Sequence, residues 1–250
     1  MRAGNRELEV SLIEGAGAKP ALVLLHEGLG SARLWGDVPQ RLADETGCTV
    51  INYSRYGNGF SETLSEKRTT RYMHDEALVV LPELLREVHI DDCILLGHSD
   101  GASIAIIYAG SSLPVRGLIL EAPHVFVEDL SVQSIAAARV AYESGDLRKR
   151  LARHHADSDR TFYGWNDIWL DTAFRDWNIE EYAWRITAPV LLVQGENDEY
   201  GTGEQLRAIR RASTGPVDEL FVANAGHAPH RDRPNLVVPA ISAFVRELCG

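Results

Sequence analysis

The chain has 250 residues, of which 45% are apolar, 8% aromatic and 24% charged, a composition that supports one large core and excludes a disordered chain. Its formal net charge is −11, because 25 lysines and arginines are set against 36 aspartates and glutamates. An acidic chain repels nucleic acid and anionic membrane surfaces, so we expect neither as a partner.

Five short apolar runs predict strands that are buried on both faces, as in a parallel sheet. They cover residues 22–25, 49–51, 94–96, 118–120 and 190–193. Apolar residues at helical spacing predict covering helices at 35–46, 74–88, 102–109 and 234–248. This alternation predicts a doubly wound α/β fold with a mostly parallel sheet.

Residues 123–188 break the alternation, because they have helical pattern and charge but no convincing strand. Four of the five tryptophans lie there. We interpret this segment as a helical lid inserted into a core of residues 1–122 and 189–250. Most of its aromatic side chains should form the lid's own core. One or two should face a substrate cavity, and the candidates are Phe162, Trp165, Trp169 and Trp177.

Cysteine usage and the first residues bear on location. The three cysteines, at positions 48, 93 and 249, are far apart and include no Cys-x-x-Cys pair, which is typical of a reducing compartment. No apolar run approaches the roughly 20 residues that span a bilayer. The first residues, MRAGNRELEV, lack the apolar stretch of an export signal. We therefore expect a cytoplasmic protein.

The sequence Gly97-His-Ser-Asp-Gly101 joins the predicted strand 94–96 to the predicted helix 102–109. A Gly-x-Ser-x-Gly motif between a strand and a helix is typical of a nucleophile elbow, in which the glycines relieve crowding around a strained serine. Without its flanks the motif could be an ordinary glycine-rich turn. With both flanks present, Ser99 is the candidate nucleophile.

A serine hydroxyl becomes a nucleophile when a base takes its proton. His227 is the candidate base, because it lies in a loop of small residues just after the strand-like residues 220–222. His230 lies in the same loop and is its rival. His74, His89, His154 and His155 occur in charge-rich helical surroundings that favour a solvated surface.

The base in turn needs an acid that orients it, and Asp198 is the candidate. It follows the predicted strand 190–193 and precedes His227 by 29 positions. The order serine, acid, histidine is the order expected behind such an elbow. Glu196 and Glu199 are the local rivals.

Two backbone amides could stabilise the oxyanion that forms when serine attacks a carbonyl. One is the N–H of Asp100, directly after the candidate nucleophile at a helix N-terminus. The other is in the glycine-containing loop after the first strand, around Gly28 and Gly30. That loop does not start a dinucleotide fingerprint, because Arg33 stands where the third glycine is required.

Together these motifs resemble the α/β-hydrolase superfamily, in its lid-bearing branch of single-domain esterases and related hydrolases. The resemblance covers nearly the whole chain and includes the loop Ser54-Arg-Tyr-Gly-Asn-Gly-Phe-Ser61. It implies Ser99, Asp198 and His227 as nucleophile, acid and base, with the amides of Gly28 and Asp100 as the oxyanion hole. The chain departs from the family pattern at Glu27, where glycine is usual, and at Asp100, where Met, Gln or Leu is commoner.

The resemblance implies a serine carboxylesterase that acts on small or medium esters without cofactor or metal. One alternative is hydrolysis of a carbon–carbon bond in ring-cleavage diketo acids, although Ala228-Pro-His230 follows the candidate base where those enzymes often have tryptophan. Another is a ligand-binding receptor on the same fold. Dehalogenases and epoxide hydrolases use a carboxylate nucleophile, and this elbow holds serine. Neither substrate identity nor oligomeric state follows from the sequence.

Overall fold

The computed structural model describes residues 1–16 and 19–250, which hold nine strands. Two of them, β1 (Arg2–Ala3) and β2 (Arg6–Glu7), form a small antiparallel pair. The other seven form one sheet: β3 (Val10–Ile13), β4 (Ala21–Leu25), β5 (Val50–Tyr53), β6 (Cys93–His98), β7 (Gly117–Glu121), β8 (Val190–Gly195) and β9 (Val217–Val222).

The order across the sheet is β3-β5-β4-β6-β7-β8-β9, and every neighbouring pair from β5 to β9 is parallel. This confirms the predicted α/β fold with a mostly parallel sheet. The five predicted runs correspond to β4 to β8, and the strand-like residues 220–222 to β9. β3 pairs antiparallel with β5 at the sheet edge. The prediction omitted β3, because an edge strand that is half exposed lacks a continuous apolar run.

The helices between the strands begin and end as follows: α1 (Val38–Thr46), α2 (Tyr72–Asp75), α3 (Leu81–Glu87), α4 (Asp100–Gly110), α5 (Asp129–Ser144), α6 (Leu147–Leu151), α7 (Ser158–Leu170), α8 (Glu180–Ala183), α9 (Gly203–Ala212), α10 (Pro229–Asp232) and α11 (Pro234–Cys249). Short 3₁₀ turns cover Ala32–Trp35 and Thr172–Phe174. The predicted helix 74–88 is divided into α2, a π-helical turn at Glu76–Val80, and α3. Among the described residues, no helix has both the length and the apolarity to cross a membrane.

Successive side chains of the central strands enter two different cores, as strand geometry requires. In β4, Leu22 and Leu24 pack with side chains of α1 and α11 on one face of the sheet. Val23 and Leu25 pack with side chains of α3 and α4 on the other face. The helices therefore bury both faces of the sheet, and only the loops at the strand ends remain free to build a site.

Helices α5 to α8 fill the chain between β7 and β8, where the sequence predicts a lid. This segment has aromatic packing of its own, with the rings of Tyr142 and Phe162 stacked at 3.8 Å between centroids and those of Phe174 and Trp177 at 5.2 Å. Residues 123–188, all of them described, contain one isolated bridge, between Phe126 and Asn178, and no strand. The lid boundaries at residues 122 and 189 stay a prediction.

The elbow depends on a close backbone approach at Gly101, which gives a first prediction. A Cβ atom at this position would lie 1.9 Å from Leu25 O and 2.9 Å from His26 O. Gly101→Ala should lower the free energy of unfolding by about 2 kcal/mol, the usual cost of overpacking, as measured by urea denaturation.

Gly203→Ala is the matched control, because a Cβ there would meet its nearest atom, Arg207 Nη1, at 3.5 Å. It should change the free energy of unfolding by less than about 0.5 kcal/mol. Equal stability of the two variants would contradict a rigid contact between the elbow and the end of β4.

Candidate active site

Ser99 sits at the turn between β6 and α4 in a backbone conformation that non-glycine residues rarely adopt, with φ 55° and ψ −116°. Such a conformation costs about 1–3 kcal/mol and persists only where the surroundings enforce it. The Ser99 N–H donates to Glu121 O at 2.9 Å. At Gly97 a Cβ would lie 2.3 Å from Gly101 O, so the two glycines let the strand and the helix meet. The strand, sharp turn and helix of a nucleophile elbow are all present.

Ser99 opens on a cavity of about 650 Å³, which is within the range of small-molecule sites. His227, Gly28, Trp165 and Trp169 line the same cavity. The cavity lies at the carboxyl ends of the parallel strands, where open α/β sheets bind their ligands. Ser99, His227 and Gly28 therefore come together at one cavity from three separate parts of the chain.

The imidazole of His227 is held by Asp198. His227 Nδ1 lies 2.8 Å from Asp198 Oδ1, and Oδ1 also accepts the N–H groups of Tyr200 and Gly201. Asp198 Oδ2 accepts a hydrogen bond from Gln194 Nε2 at 2.7 Å. A proton on Nδ1 directed at the carboxylate leaves His227 Nε2 as an acceptor. Among the described residues no hydrogen bond joins His227 to Ser99 Oγ; the two side chains share the cavity.

Asp198 is negatively charged at neutral pH. Burial would raise the pKa of its carboxyl group, but the hydrogen bond and charge of His227, with the Tyr200 N–H, outweigh burial and lower the pKa to about 2. Asp198 therefore offers His227 Nδ1 a charged hydrogen-bond acceptor, which fixes the orientation of the ring.

The rival residues have other partners. Glu196 Oε2 accepts the N–H of Asn224, and Glu199 Oε2 accepts the backbone N–H of His227. His230 Nδ1 lies 2.8 Å from Glu121 Oε2 in the protein interior. Asp198 is thus the carboxylate that contacts the ring of His227.

A buried anchor holds the loop that carries His227. Both oxygens of Glu121 accept hydrogen bonds from His230, one from the backbone N–H at 2.7 Å and one from Nδ1 at 2.8 Å. His98 Nε2 donates to the carbonyl of His227 at 2.7 Å. Burial would raise the pKa of Glu121, but the charge and hydrogen bonds of His230 and the charge of His98 lower it. These interactions fix the loop at two points, three residues apart.

His98, Glu121 and His230 also place atoms of metal-ligand type within 4.8 Å of one another. The hydrogen bonds described above already engage both oxygens of Glu121, Nδ1 of His230 and Nε2 of His98. We therefore assign these side chains to anchoring the loop.

The two predicted oxyanion amides belong to loops that are tied to each other. Asp100 begins α4 and Gly28 follows β4, and neither N–H donates to another described residue. The buried Arg55 guanidinium lies 3.5 Å from Asp100 Oδ2 and donates to Glu27 O at 2.9 Å. Asn58 Nδ2 donates to Gly28 O at 3.0 Å. Asp100, unusual at this position, thus serves as the counter-charge of Arg55.

Glu27, the other departure from the family pattern, bridges the same loops. Its Oε1 lies 3.5 Å from Arg231 Nη2, and its Oε2 lies 3.5 Å from His98 Nδ1. Burial would raise the pKa of Glu27, but His98, Arg231 and His26 together hold it well below its usual range. Glu27 therefore carries a negative charge that links the Gly28 loop to the His227 loop.

The four lid aromatics named from the sequence divide into two groups. Trp165 and Trp169 line the cavity, and Trp169 Nε1 donates to the hydroxyl of Tyr72 at 3.0 Å. Phe162 and Trp177 are not part of the cavity lining; they stack on Tyr142 and Phe174 inside the helical segment, so two of the four candidates border the cavity. The sequence placed all four in the lid segment, but it could not show which of them border the cavity.

Sequence reasoning missed His124, which lines the cavity with its ring 5.7 Å from that of His227. Burial and the nearby His227 lower the pKa of His124 to about 4, so its imidazole is neutral at neutral pH. Its position three residues after the end of β7 was the available signal. Two of the histidines expected at a solvated surface, His74 and His155, are buried instead.

Comparisons with known proteins agree with this class of fold. Residues 22–240 match the Alpha/beta hydrolase family, and the chain belongs to that family. It is 29% identical to the proline iminopeptidase of Saccharolobus solfataricus over 93% of this chain and 86% of the relative. It is 23% identical to an sn-1-specific diacylglycerol lipase of Danio rerio over 96% of this chain and 82% of the relative.

A thermophilic esterase from Thermogutta terrifontis has the same fold, with a TM-score of 0.76 at 20% identity, covering 98% of this chain and 95% of that one. These relatives are hydrolases, and the family membership together with the fold supports hydrolysis as the activity of this chain.

The charge of Asp198 gives a prediction for acid stability. Its pKa is about 2 in the folded protein and about 3.9 in an unfolded chain, so it contributes about 2 kcal/mol above pH 4 that is lost as the pH falls to 2. In urea denaturation, the stability difference between the parent and Asp198→Asn should shrink by about that amount between pH 5 and pH 2. A constant difference would contradict the lowered pKa.

The Glu121–His230 anchor gives a third prediction. Glu121→Leu leaves two buried donors of His230 without an acceptor, which should lower the free energy of unfolding by about 3 kcal/mol. Glu121→Leu with His230→Phe should cost less than the sum of the two single changes, because the double variant leaves only the backbone N–H unpaired. Strict additivity in urea denaturation would show that the two side chains do not stabilise each other.

Proposed function

We propose that this chain is a serine carboxylesterase that hydrolyses small or medium esters through an acyl-enzyme. The observation that carries the proposal is the shared cavity, into which Ser99 projects from a strained turn beside His227, itself bound to Asp198. A nucleophile, a base and an acid that orients the base are the three groups that this chemistry requires.

In the proposed mechanism, His227 Nε2 takes the hydroxyl proton of Ser99 as Oγ forms a bond to the ester carbonyl carbon. The N–H groups of Gly28 and Asp100 hold the resulting oxyanion. His227 then gives its proton to the departing alkoxide, and the carbon–oxygen bond to the alcohol breaks. Water, deprotonated by His227, then attacks the acyl carbon; the bond from that carbon to Ser99 Oγ breaks, His227 returns the proton to Oγ, and the acid leaves. Asp198 stabilises the imidazolium in both halves of the reaction. No step needs a cofactor or metal.

The proposed partner is a small molecule, because a cavity of about 650 Å³ matches the size of small-molecule sites. The net charge of −11 argues against nucleic acid and anionic membranes. The cysteines at positions 48, 93 and 249 include no Cys-x-x-Cys pair, and on this ground we propose a cytoplasmic location.

Peptide hydrolysis is the competing activity, since one relative is named a proline iminopeptidase. Binding a free amino terminus requires a carboxylate that is free to pair with it. Of the three carboxylates that line the cavity, Glu27 is paired with Arg231, whereas Glu199 and Asp232 accept the N–H groups of His227 and Gly226 and have no ion-pair partner among the described residues. An amino-terminal substrate would have to pair with one of these two, so aminoacyl amides belong in the assay beside the esters.

The test is Ser99→Ala, assayed with methyl and p-nitrophenyl esters of graded acyl length beside ring-cleavage diketo acids and aminoacyl amides. Ester hydrolysis should fall by at least about 10³-fold, because removal of a triad serine disables the whole unit. A fluorophosphonate should label the parent and not the variant.

Ser144→Ala is the control, because Ser144 lies at the exposed end of α5 and bonds only the carbonyl of Val140. It should retain labelling and activity. Ester turnover by Ser99→Ala within about tenfold of the parent would overturn the proposal. Faster cleavage of diketo acids than of esters would favour a carbon–carbon hydrolase, and tight ligand binding without turnover would favour a receptor.

A further inference from the structure

The helical segment carries a dense basic cluster in an otherwise acidic protein. Arg148, Lys149, Arg150 and Arg153 fall within six positions on α6 and the turn that follows it, although the chain has a net charge of −11. Nothing in the proposed ester chemistry uses these four side chains.

The four basic residues differ in their partners. Arg148 Nε donates to Asp159 Oδ1 at 2.9 Å, and Lys149 Nζ lies 3.6 Å from Asp146 Oδ1. Arg150 and Arg153 form no ion pair and no side-chain hydrogen bond with any described residue. The cluster therefore holds two guanidinium groups whose charge is not neutralised by the protein.

These same two arginines line the cavity that contains Ser99 and His227, whereas Arg148 and Lys149 do not. Elsewhere in the lining, Glu27 is paired with Arg231, and Glu199 and Asp232 accept backbone N–H groups. Two arginine charges without an ion-pair partner among the described residues therefore lie on the helical segment, in the same cavity as Ser99 and His227.

We propose that Arg150 and Arg153 bind an anionic oxygen group, a carboxylate or a phosphate, on the substrate at the end remote from the cleaved ester; this rests on the proposed esterase function. Arginine presents several N–H donors in a plane that matches such groups and stays protonated throughout the physiological range. The preferred substrates are then esters with a distal negative charge, such as half-esters of dicarboxylic acids. Without these two arginines, a protein of net charge −11 would repel a negatively charged substrate.

The kinetic test compares monomethyl adipate with methyl hexanoate, which share a six-carbon acyl chain and differ in a carboxylate or a methyl group at the far end. The parent should prefer monomethyl adipate by at least about tenfold in kcat/KM, equivalent to about 1.4 kcal/mol. In the variant Arg150→Gln with Arg153→Gln that preference should fall at least tenfold. A methyl ester with a distal phosphate is the second arm and identifies which oxyanion is bound.

Arg148→Gln is the matched control, because Arg148 is paired with Asp159 and lies outside the cavity lining. Its preference should equal that of the parent. A parent that hydrolyses methyl hexanoate at least as well as both anionic esters would overturn the inference while leaving the esterase function intact.

Calorimetric titration with adipate and with inorganic phosphate supplies a readout that does not depend on turnover. At least one of the two should bind the parent and Ser99→Ala, and bind at least tenfold more weakly to the double arginine variant. If none of the esters is hydrolysed and a fluorophosphonate leaves Ser99 unlabelled, the proposed esterase function is wrong. The titration then still shows whether Arg150 and Arg153 bind an anionic group. Absence of binding to the parent would overturn it.

Discussion

The buried guanidinium of Arg55 is the constraint around which the candidate site is arranged. A cation in the protein interior is costly unless charges and hydrogen-bond acceptors surround it, and Arg55 is 1% exposed. Its partners are Asp100 and the carbonyls of His26 and Glu27. Asp100 follows β6, His26 and Glu27 follow β4, and Arg55 follows β5. The interactions that stabilise the buried charge of Arg55 therefore hold the ends of three strands together. The candidate nucleophile and both candidate oxyanion amides belong to those strand ends.

A second set of charges fixes the loop after β9 to this assembly. Glu121 holds it from the end of β7, and Glu27 reaches it through His98 and Arg231. Each carboxylate has a protein partner, so the core side of the cavity is already arranged before any ligand enters. The core side of the cavity is thus pre-organised by its own charges. The helical side instead carries two arginines, Arg150 and Arg153, that have no partner among the described residues.

The residues that were predictable from sequence are those with a local signature. The elbow around Ser99 has glycines at fixed spacing between a strand and a helix. Asp198 follows a strand with a continuous apolar run, and His227 follows the short strand-like residues 220–222. Glu27 and Asp100 could be recognised as unusual but not explained, since their partners Arg231 and Arg55 lie 204 and 45 positions away in the chain. Trp165 and Phe162 are three positions apart on α7, and only the packing of Phe162 on Tyr142 shows which one faces away from the cavity. Long-range pairing and the choice of helix face are set by tertiary contacts, which local sequence does not encode.

The contact between Trp165 and Gly28 has an optical consequence. A Cβ atom on Gly28 would lie 2.1 Å from Cδ1 of Trp165, so the indole rests directly against the loop that carries a candidate oxyanion amide. Trp169 lines the same cavity. Trp35 does not line it, and its ring packs against those of His98 and His230. Indole emission responds to the polarity around the ring, and two of the chain's five indoles border the cavity. The protein therefore carries its own fluorophores at the place where a ligand would enter, and occupancy of the cavity can be followed without a label.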